Sequence, residues 1–283
     1  IDSFTPYYDP ERKKAHLHQA LQHPRFQFVE GDLNTLDIRS VLPVDAVFHL
    51  AAQAGVRSSW GNDFSAYIRN NLEATHRLLE ALITQPPAKI VFASTSSVYG
   101  NVPLPMRETG PTRPLSPYGV TKLACEQLLY AYAQAYGLSV TALRYFTVYG
   151  PRQRPDMGIY KFIRALHRGE TLPIYGDGQQ QRDFTYVGDV VEATIRALHV
   201  PGNFQVINVG GGSQVSVLQL VEQIAELLHC TPQIDYLPHQ KGDLNATLAD
   251  TRRARKILKF TPQTPLEYGL RQQISWQINH RLE

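Results

Sequence analysis

Short apolar runs rich in β-branched residues alternate with longer helical patterns through the first half of this 283-residue chain. These patterns predict strands at 26–30, 45–50, 89–93 and 139–144, and helices at 64–82 and 117–136. Nearly continuous Val, Ile, Leu and Phe runs are typical of strands buried on both faces, as in a parallel sheet covered by helices. The sequence therefore predicts a doubly wound α/β fold, whose ligands bind at the carboxyl ends of the strands.

The alternation of strand and helix patterns becomes less regular after Gly150, where prolines, glycines and basic residues become frequent. A further strand is predicted at 204–209, and helices around 216–229 and 251–259. We expect two portions in the chain. Residues 1–150 with 182–209 would form a Rossmann domain for a dinucleotide, and residues 151–181 with 210–283 a smaller α/β substrate-binding lobe.

Composition and charge exclude several classes of protein. The net charge is +3 and the basic residues are scattered, so no nucleic-acid partner is expected. The one dense basic run, at 252–256, is interpreted as a solvated helix face. No apolar stretch approaches membrane-spanning length, so no membrane association is expected. Two cysteines make no disulfide framework, and Cys125 is predicted to be a reduced, buried thiol in a cytoplasmic protein.

Tyr118 and Lys122 are the strongest candidates for chemistry. They are four residues apart, and this spacing puts them on one face of the predicted helix. Ser116 can cap that helix and Pro117 suits its first turn. The helix terminus and the ammonium both favour a phenolate, which could take a proton from an alcohol. Tyr-x-x-x-Lys is also common on ordinary amphipathic helices, so the neighbouring motifs must decide.

Three short segments with chemical character each directly follow a predicted strand. They are 51–53, 94–96 and 145–147. In a parallel sheet the carboxyl ends of the strands share one edge, so these segments are expected to meet there. Thr95, Ser96 and Ser97 place three hydroxyls in a row, although a polar strand-to-loop turn would have the same composition.

The start of the chain lacks a glycine-rich turn of the kind that holds a pyrophosphate. Asp2 nevertheless resembles the acidic residue that binds the adenosine ribose about 20 residues after such a turn. We therefore expect a first strand, turn and helix, on the order of 25–30 residues, to be missing from this sequence. The three glycines at 210–212 come too late for that role and are interpreted as a turn.

Taken in order, these motifs resemble the extended short-chain dehydrogenase/reductase family, and within it the NAD-dependent nucleotide-sugar epimerases and dehydratases. The resemblance covers essentially the whole chain. It rests on segments at 31–33, 49–52, 70–71, 95–100, 118–122, 145–150, 182–184 and 242–243.

The resemblance implies NAD as cofactor and Thr95, Tyr118 and Lys122 as catalytic residues. No metal is expected. Because the Asp2 carboxylate repels a 2′-phosphate, NAD is favoured over NADP. The residues implied in dinucleotide binding are Asp2, Asp32, Leu33, Leu50, Ala51, Ala52, Gln53, Asn71, Tyr118, Lys122 and Tyr145. Leu50, Ala51 and Ala52 would also fit a purely structural role at a strand end.

The two residues after Thr95 narrow the choice of reaction type within this family. Sugar dehydratases of the family carry an acid pair there, and decarboxylases a Glu at the second position. Ser96 and Ser97 cannot act as carboxyl acids or bases near neutral pH, so reversible oxidation at C4 remains. Thr147 and the segments at 154–157 and 54–57 resemble the corresponding positions of UDP-glucuronate 4-epimerases. The residues implied in substrate binding are Arg57, Ser96, Ser97, Thr147, Arg154, Tyr175, Arg182, Gln240 and Asp243.

Two features of the substrate side leave alternatives open. Some relatives carry Arg where this chain has Gln240, and the small Thr247 stands where glucose-specific relatives often carry Tyr. UDP-glucose or UDP-N-acetylhexosamine 4-epimerisation therefore remains the alternative to UDP-glucuronate 4-epimerisation. A non-catalytic NAD- or RNA-binding relative is the alternative of another class, and the intact Thr95, Tyr118 and Lys122 speak against it. The resemblance also implies a homodimer built on the helices at 64–82 and 117–136.

Overall fold

A four-stranded parallel sheet lies at the centre of the computed structural model, which describes residues 1–239 and 242–280. The strands are β1 (Ala46–His49), β2 (Lys89–Thr95), β3 (Val140–Tyr145), β4 (Thr147–Tyr149), β5 (Leu172–Tyr175), β6 (Gln181–Arg182), β7 (Phe184–Tyr186), β8 (Phe204–Val209), β9 (Val215–Ser216) and β10 (Ile234–Leu237). The central order is β1-β2-β3-β8, all parallel. Three short two-stranded pairs, β10-β5, β4-β7 and β6-β9, complete the strands described. The predicted doubly wound α/β fold is confirmed.

The α-helices are α1 (Pro10–Leu21), α2 (Phe64–Tyr67), α3 (Ala74–Leu82), α4 (Pro117–Tyr136), α5 (Gly158–Arg168), α6 (Val187–Arg196), α7 (Val217–Leu227) and α8 (Leu266–Asn279). The helix predicted at 64–82 is helical throughout, but a π-helical turn at Ile68–Glu73 joins α2 to α3. A π-turn shifts the face that the following residues present, and such turns are frequent at functional sites. The helix predicted around 251–259 is a single π-helical stretch, Ala254–Leu258.

The strand predicted at 26–30 is wrong. Only Glu30 makes a bridge, a parallel one with Asp2. The segment beside it is the short stretch around Asp2, which offers two main-chain hydrogen bonds, Asp2 N to Val29 O and Gly31 N to Asp2 O. A strand needs a continuous ladder with a neighbour, and so the apolar character of 26–30 is not enough.

Both faces of the central sheet are buried by helices. Side chains alternate along β2, so Ile90 and Phe92 pack with α3 and α4 while Val91 packs on the opposite face with residues of α6 and β8. This two-sided burial explains the continuous apolar runs in the sequence. Because the four strands run parallel, their carboxyl ends lie together at one edge of the sheet.

A third apolar cluster lies outside the sheet and unites α5, α7 and α8 with β5. The predicted portions of the chain contact each other through both cores. Tyr149 and Phe184 pack in this third cluster, whereas Leu258 and Phe260 pack against the central sheet. The boundary drawn from the sequence stays a prediction. Within the described residues, no helix has the length and apolarity needed to cross a membrane.

Candidate active site

The carboxyl edge of the sheet gathers the segments that follow β1, β2 and β3. Thr95 ends β2 beside Tyr145, which ends β3, and the two are paired in the ladder. After Thr95 the chain turns at once into a short 3₁₀ helix, Ser96–Val98, and Thr95 caps it by accepting a hydrogen bond at Oγ1 from Ser97 N at 3.1 Å. The sequence-predicted meeting of these segments is therefore present in the fold.

Helix α4 brings Tyr118 and Lys122 to this edge. Ser116 caps the helix, its Oγ accepting from Gly119 N at 3.1 Å, and Pro117 occupies the first turn, as predicted. The Tyr118 ring is half-buried and lies edge-on to Tyr67, with centroids 6.2 Å apart. Lys122 is buried, and its ammonium lies 4.0 Å from the centre of the Phe92 ring. The two side chains share one helix face, as their spacing predicts.

The protonation of Tyr118 differs from the expectation that the helix terminus and Lys122 favour a phenolate. Burial raises the pKa of Tyr118 above its ordinary value, while the positive charge of Arg154 and the Thr95 hydroxyl act in the opposite direction. Desolvation disfavours the charged phenolate, and here it outweighs the groups that stabilise it. These surroundings thus favour the neutral phenol over the phenolate, and ionisation calls for further stabilisation of the oxyanion.

Lys122 has the opposite shift. Burial lowers its pKa to about 8, while negative charge on Cys125 and Glu126 would raise it. An ammonium with a pKa this close to neutral pH loses its proton easily, so the neighbouring charges decide how much of it stays protonated. The thiol of Cys125 is buried and free, as predicted.

A groove at the carboxyl end of β1 brings together many of the residues implied in dinucleotide binding. Its walls are Ile1, Asp2, Ser3, Thr5, Lys13, Gly31, Asp32, Leu33, Asn34, Ala51, Ala52, Asn70 and Ala74. Leu50 borders it and is 56% exposed, so apolar surface is uncovered at the strand end. Two carboxylates and small apolar side chains in one groove fit an adenosine with its ribose hydroxyls. The residues present therefore fit NAD.

The two acidic residues of the groove are anchored differently. Asp2 Oδ1 accepts from Phe4 N at 2.7 Å, while Asp32 Oδ1 accepts from Asn34 N at 2.9 Å and its other oxygen pairs with Arg69. Lys13 of α1 also lines this groove and donates to Thr5 O at 2.6 Å. Sequence reasoning missed Lys13, because nothing in its neighbourhood marks a lysine on a solvated helix as part of a site.

Two residues implied in cofactor binding use their side chains inside the protein. Asn71, in the π-helical turn, is 1% exposed and binds the main chain of Gln53 and the Thr121 hydroxyl. The Tyr145 hydroxyl lies 2.8 Å from Thr194 Oγ1, away from Thr95. The Asn71 amide thus fixes the loop after β1. For Tyr145, only the main chain lies at the carboxyl edge of the sheet.

A second pocket lies at the start of α4, where Leu115 and the N-cap Ser116 line it, and it gathers most of the predicted substrate residues. Its walls are Val56, Ser96, Ser97, Gly100, Leu115, Ser116, Thr147, Arg182, Gly242, Asp243, Leu244 and Thr247. Ser96, Ser97 and Thr147 bring their three hydroxyl side chains to this pocket, together with one guanidinium, that of Arg182. The Asp243 carboxylate on the same wall is paired with Arg57, so the set can bind an anion through neutral hydrogen bonds and one charge-assisted contact.

Arg57 and Tyr175 flank the same pocket. Arg57 Nη2 lies 2.9 Å from Asp243 Oδ2, and its guanidinium stacks 4.5 Å from the centre of the Tyr175 ring. The ion pair joins the loop after β1 to the segment at 242–244, so it connects two sides of the pocket.

Arg154 is separate from Arg182. It forms a bidentate ion pair with Asp156, with two N–O distances of 3.1 Å, and faces the Tyr7 ring at 5.8 Å. Arg182 is instead under the electrostatic influence of Asp243 and Arg57, and burial lowers its pKa. The structure therefore places the two arginines in different surroundings. Gln240, also implied in substrate binding, lies outside the described residues.

Asp183 organises the pocket and was missed as a functional residue, although its motif was noticed. It is fully buried and accepts from Gly211 N at 2.6 Å and from Ala249 N at 2.9 Å. Burial raises its pKa to about 6 despite these bonds. The predicted turn at 210–212 is thus fixed by a carboxylate next to Arg182. A buried acid flanked by Arg and Phe was the signal that could have revealed it.

The sequence profile of the NAD dependent epimerase/dehydratase family matches residues 6–210 of the chain. The chain belongs to this family. The match covers more than half of its length and includes the predicted catalytic residues, all three pocket-lining serines and Arg182.

Individual relatives agree with the family. The chain is 42% identical over 281 residues to the uncharacterized UDP-glucose epimerase YtcB of Bacillus subtilis (strain 168), covering 98% of this chain and 88% of that protein. Among solved structures, UDP-glucuronic acid 4-epimerase from Bacillus cereus, in complex with UDP-glucuronic acid and NAD, superimposes with a TM-score of 0.96 at 37% identity, covering 99% and 90% of the two chains. MoeE5, in complex with UDP-glucuronic acid and NAD, is 48% identical with a TM-score of 0.86, covering 89% and 85%.

Proposed function

We propose that this chain is an NAD-dependent UDP-sugar 4-epimerase whose principal substrate is UDP-glucuronate, converted to UDP-galacturonate through a 4-keto intermediate. The observation that carries the proposal is the convergence of Ser96, Ser97 and Thr147 in one pocket with Arg182. Three neutral donors in a pocket at the start of the Tyr118 helix suit a sugar carboxylate that must be held and released.

The chain's own residues divide the chemistry. When bound, NAD⁺ supplies the reversible oxidation at C4 of the sugar. Tyr118 takes the proton of the 4-hydroxyl and later returns it, and Thr95 donates a hydrogen bond to the same oxygen. The resemblance gives Lys122, one helical turn from Tyr118, the role of adding positive charge near the phenolate, and Arg154 already acts on Tyr118 in that direction. The groove of Asp2, Asp32 and Ala51 holds the adenosine end of the cofactor.

Inversion requires the 4-keto sugar to turn over while the nucleotide stays in place. Arg182 is the charged anchor for the pyrophosphate, because a guanidinium binds phosphate oxygens in a fixed geometry. Ser96, Ser97 and Thr147 make only neutral contacts to the carboxylate, so the sugar can rotate. The same contacts must also hold the carboxylate out of the alignment that releases CO₂ from a β-keto acid.

The named relatives support this substrate class. The Bacillus cereus enzyme, with 37% identity to this chain, binds UDP-glucuronic acid. MoeE5 has been solved with UDP-glucose and with UDP-glucuronic acid. Thr247 lines the pocket and is small, so a neutral or C2-substituted UDP-hexose is a second candidate.

The deciding experiment is proton NMR of UDP-glucuronate incubated with the purified protein and NAD⁺. We expect UDP-galacturonate to appear without a large yield of UDP-xylose. Conversion of UDP-glucose or UDP-N-acetylglucosamine, with UDP-glucuronate unchanged, would move the assignment to a neutral sugar. Dominant pentose formation would reject the proposed carboxylate alignment.

Thr147→Val tests the role of the hydroxyls directly, since Val has nearly the same shape but donates no hydrogen bond. We expect turnover of UDP-glucuronate to fall about tenfold, the effect of one lost hydrogen bond to a charged group. Turnover of a neutral UDP-hexose should change less. Equal losses for both substrates would show that Thr147 does not contact the carboxylate. Thr84→Val, in an exposed turn after α3, is the matched control.

The assembly and location follow as proposals. We propose a homodimer that packs through α3 and α4, where Tyr132 and Tyr136 lie against each other and His76 meets Tyr132 at the surface. A cytoplasmic location is supported by two unbridged cysteines. We also propose that 1–150 with 182–209 serves the cofactor, and 151–181 with 210–283 the nucleotide sugar.

A further inference from the structure

A buried ion pair joins α4, the helix that carries Tyr118 and Lys122, to strand β3. Arg144 of β3 binds Glu126 of α4 with both arms, Nε to Oε1 at 3.0 Å and Nη2 to Oε2 at 2.7 Å. The side chains are 5% and 1% exposed. Ser94 of β2 also donates its hydroxyl to Glu126 Oε1. One carboxylate thus ties together a helix and two strands.

Each partner in this cluster adjoins a residue of the site. Ser94 immediately precedes Thr95, and Arg144 immediately precedes Tyr145. Glu126 comes four residues after Lys122, which comes four residues after Tyr118, so the three follow one another along the same side of α4. The rotation of α4 about its axis and its height on the sheet are therefore both fixed by contacts to Glu126.

The cluster continues away from the site through a second layer of contacts. The Arg144 guanidinium stacks 4.7 Å from the centre of the Tyr99 ring, and the Tyr99 hydroxyl donates to Asn208 Oδ1 at 2.6 Å. Asn208 Nδ2 in turn donates to Met106 O at 2.9 Å. Tyr99 and Asn208 are fully buried. Glu126 is therefore held in place from β8 as well as from β2 and β3.

Stability alone does not explain a charged pair in this position. A buried ion pair can often be replaced by apolar residues of similar volume without loss of stability, because desolvation offsets the attraction between the charges. What charged and bidentate contacts do provide is a fixed geometry. Lys122 needs such support, since its own side chain lies over Phe92 and burial favours its neutral form.

We infer that Glu126, held by Arg144 and Ser94, is a positioning residue that orients Lys122 and Tyr118 against Thr95 and keeps negative charge near the Lys122 ammonium. This inference rests on the proposed function for the assignment of Tyr118 as the proton acceptor. It assigns Glu126 no contact with substrate or cofactor. Its effect is carried through the placement of α4 and through the charge state of Lys122.

The test compares three variants of the full protein. Glu126→Gln keeps the shape and removes the charge. The double variant Glu126→Met with Arg144→Met replaces the pair by apolar side chains and leaves no unpaired charge, so it is expected to fold. Lys89→Met is the matched control, because Lys89 is a buried cation on the same strand as Ser94 but at the far end of β2, about 20 Å from Thr95.

Two readouts separate positioning from a merely structural role. The first is the pH dependence of kcat and KM for the UDP-sugar. The second is the titration of Tyr118 itself, followed by NMR of ring-labelled tyrosine and assigned with Tyr118→Phe. In the double variant we expect kcat to fall about 10- to 100-fold with little change in KM. We also expect Tyr118 to titrate at higher pH, and the alkaline limb of kcat to move to lower pH in Glu126→Gln.

The control Lys89→Met should leave both readouts as in the unmodified protein. A folded double variant with unchanged kcat and unchanged Tyr118 titration would overturn the inference. If Glu126→Gln fails to fold, the double variant decides. If the protein converts neither UDP-glucuronate nor a neutral UDP-hexose, the proposed function fails, while the Tyr118 titration still decides whether Glu126 acts on the Tyr118 and Lys122 pair.

Discussion

The side-chain amide of Asn71 pairs with the main chain of Gln53 in both directions. Asn71 Oδ1 accepts from Gln53 N at 2.7 Å, and Asn71 Nδ2 donates to Gln53 O at 3.0 Å. The same Nδ2 donates to Thr121 Oγ1 at 3.0 Å, on the helix that carries Tyr118. One amide in the π-helical turn thus fixes the loop after β1 and connects it to α4.

Asn71→Ala should therefore lower the free energy of unfolding, because it leaves the buried N–H and C=O of Gln53 without partners. Each unsatisfied buried group costs about 1–3 kcal/mol. Urea unfolding measures the loss, and exposed Asn279→Ala serves as control. Undiminished stability with weaker NADH binding would instead show that Asn71 acts by contacting the dinucleotide.

Tyr118→Phe should reduce kcat by about 10²- to 10⁴-fold, the usual contribution of a positioned general base. The ring and its edge-on contact with Tyr67 remain, so the melting temperature should change little. Tyr130→Phe, farther along the same helix and in edge-to-face contact with Phe204, is the control. Full activity in Tyr118→Phe would remove Tyr118 from the catalytic residues.

Arg57→Gln should raise KM for the UDP-sugar by about tenfold with little change in kcat, since loosening the pocket wall weakens binding of the substrate and of the transition state alike. Arg57 pairs with Asp243 and stacks on Tyr175 beside the substrate pocket. Stability should fall by no more than about 1 kcal/mol, because the arginine side chain is half-exposed. Steady-state kinetics with Arg271→Gln, from an exposed ion pair elsewhere, give the comparison. A kcat loss with KM unchanged would argue against this role.

His49 should make the protein less stable in acid. Burial, and secondarily the charge of Lys122, lower its pKa from 6.5 to about 3. Between these values the unfolded chain binds a proton that the folded protein does not, so the contribution of His49 is complete above pH 6.5 and is lost as pH falls towards 3. The slope is about 1.4 kcal/mol per pH unit.

Urea unfolding at several pH values between 4.5 and 7 checks this prediction. His49→Gln should show a shallower dependence of the unfolding free energy on pH, because Gln does not titrate. His18→Gln changes an exposed histidine and is the control. Equal slopes for His49→Gln and the unmodified protein would mean that His49 does not set the acid sensitivity.

Local chemistry explains what could be predicted from the sequence. The apolar runs at 89–93 and 204–209 form strands of the central sheet, and Ser116 and Pro117 define the start of α4. Both could be predicted because propensity and capping act over a few residues. The four-residue spacing of Tyr118 and Lys122 placed them on one face for the same reason. The motifs around them were enough to indicate the family.

Other features depended on partners distant in sequence. The run at 26–30 formed no strand because its neighbour offers only Asp2 for pairing. The pKa of Tyr118 rose because packing removed water from the phenol, and no local motif encodes that. The separate surroundings of Arg154 and Arg182 likewise depend on Asp156, Tyr7 and Asp243, and not on the residues next to each arginine.

The sequence by itself thus determined the doubly wound class and most strands of the central sheet, and it supplied the candidates for the reacting side chains, because periodicity and residue type are local properties. Only the tertiary structure decided which polar side chains fix the elements around the site through hydrogen bonds and ion pairs. Asn71, Glu126 and Asp183 are examples. Their hydrogen bonds reach main chain or charge from other elements. Burial and long-range pairing set these roles, since both arise only when the whole chain packs.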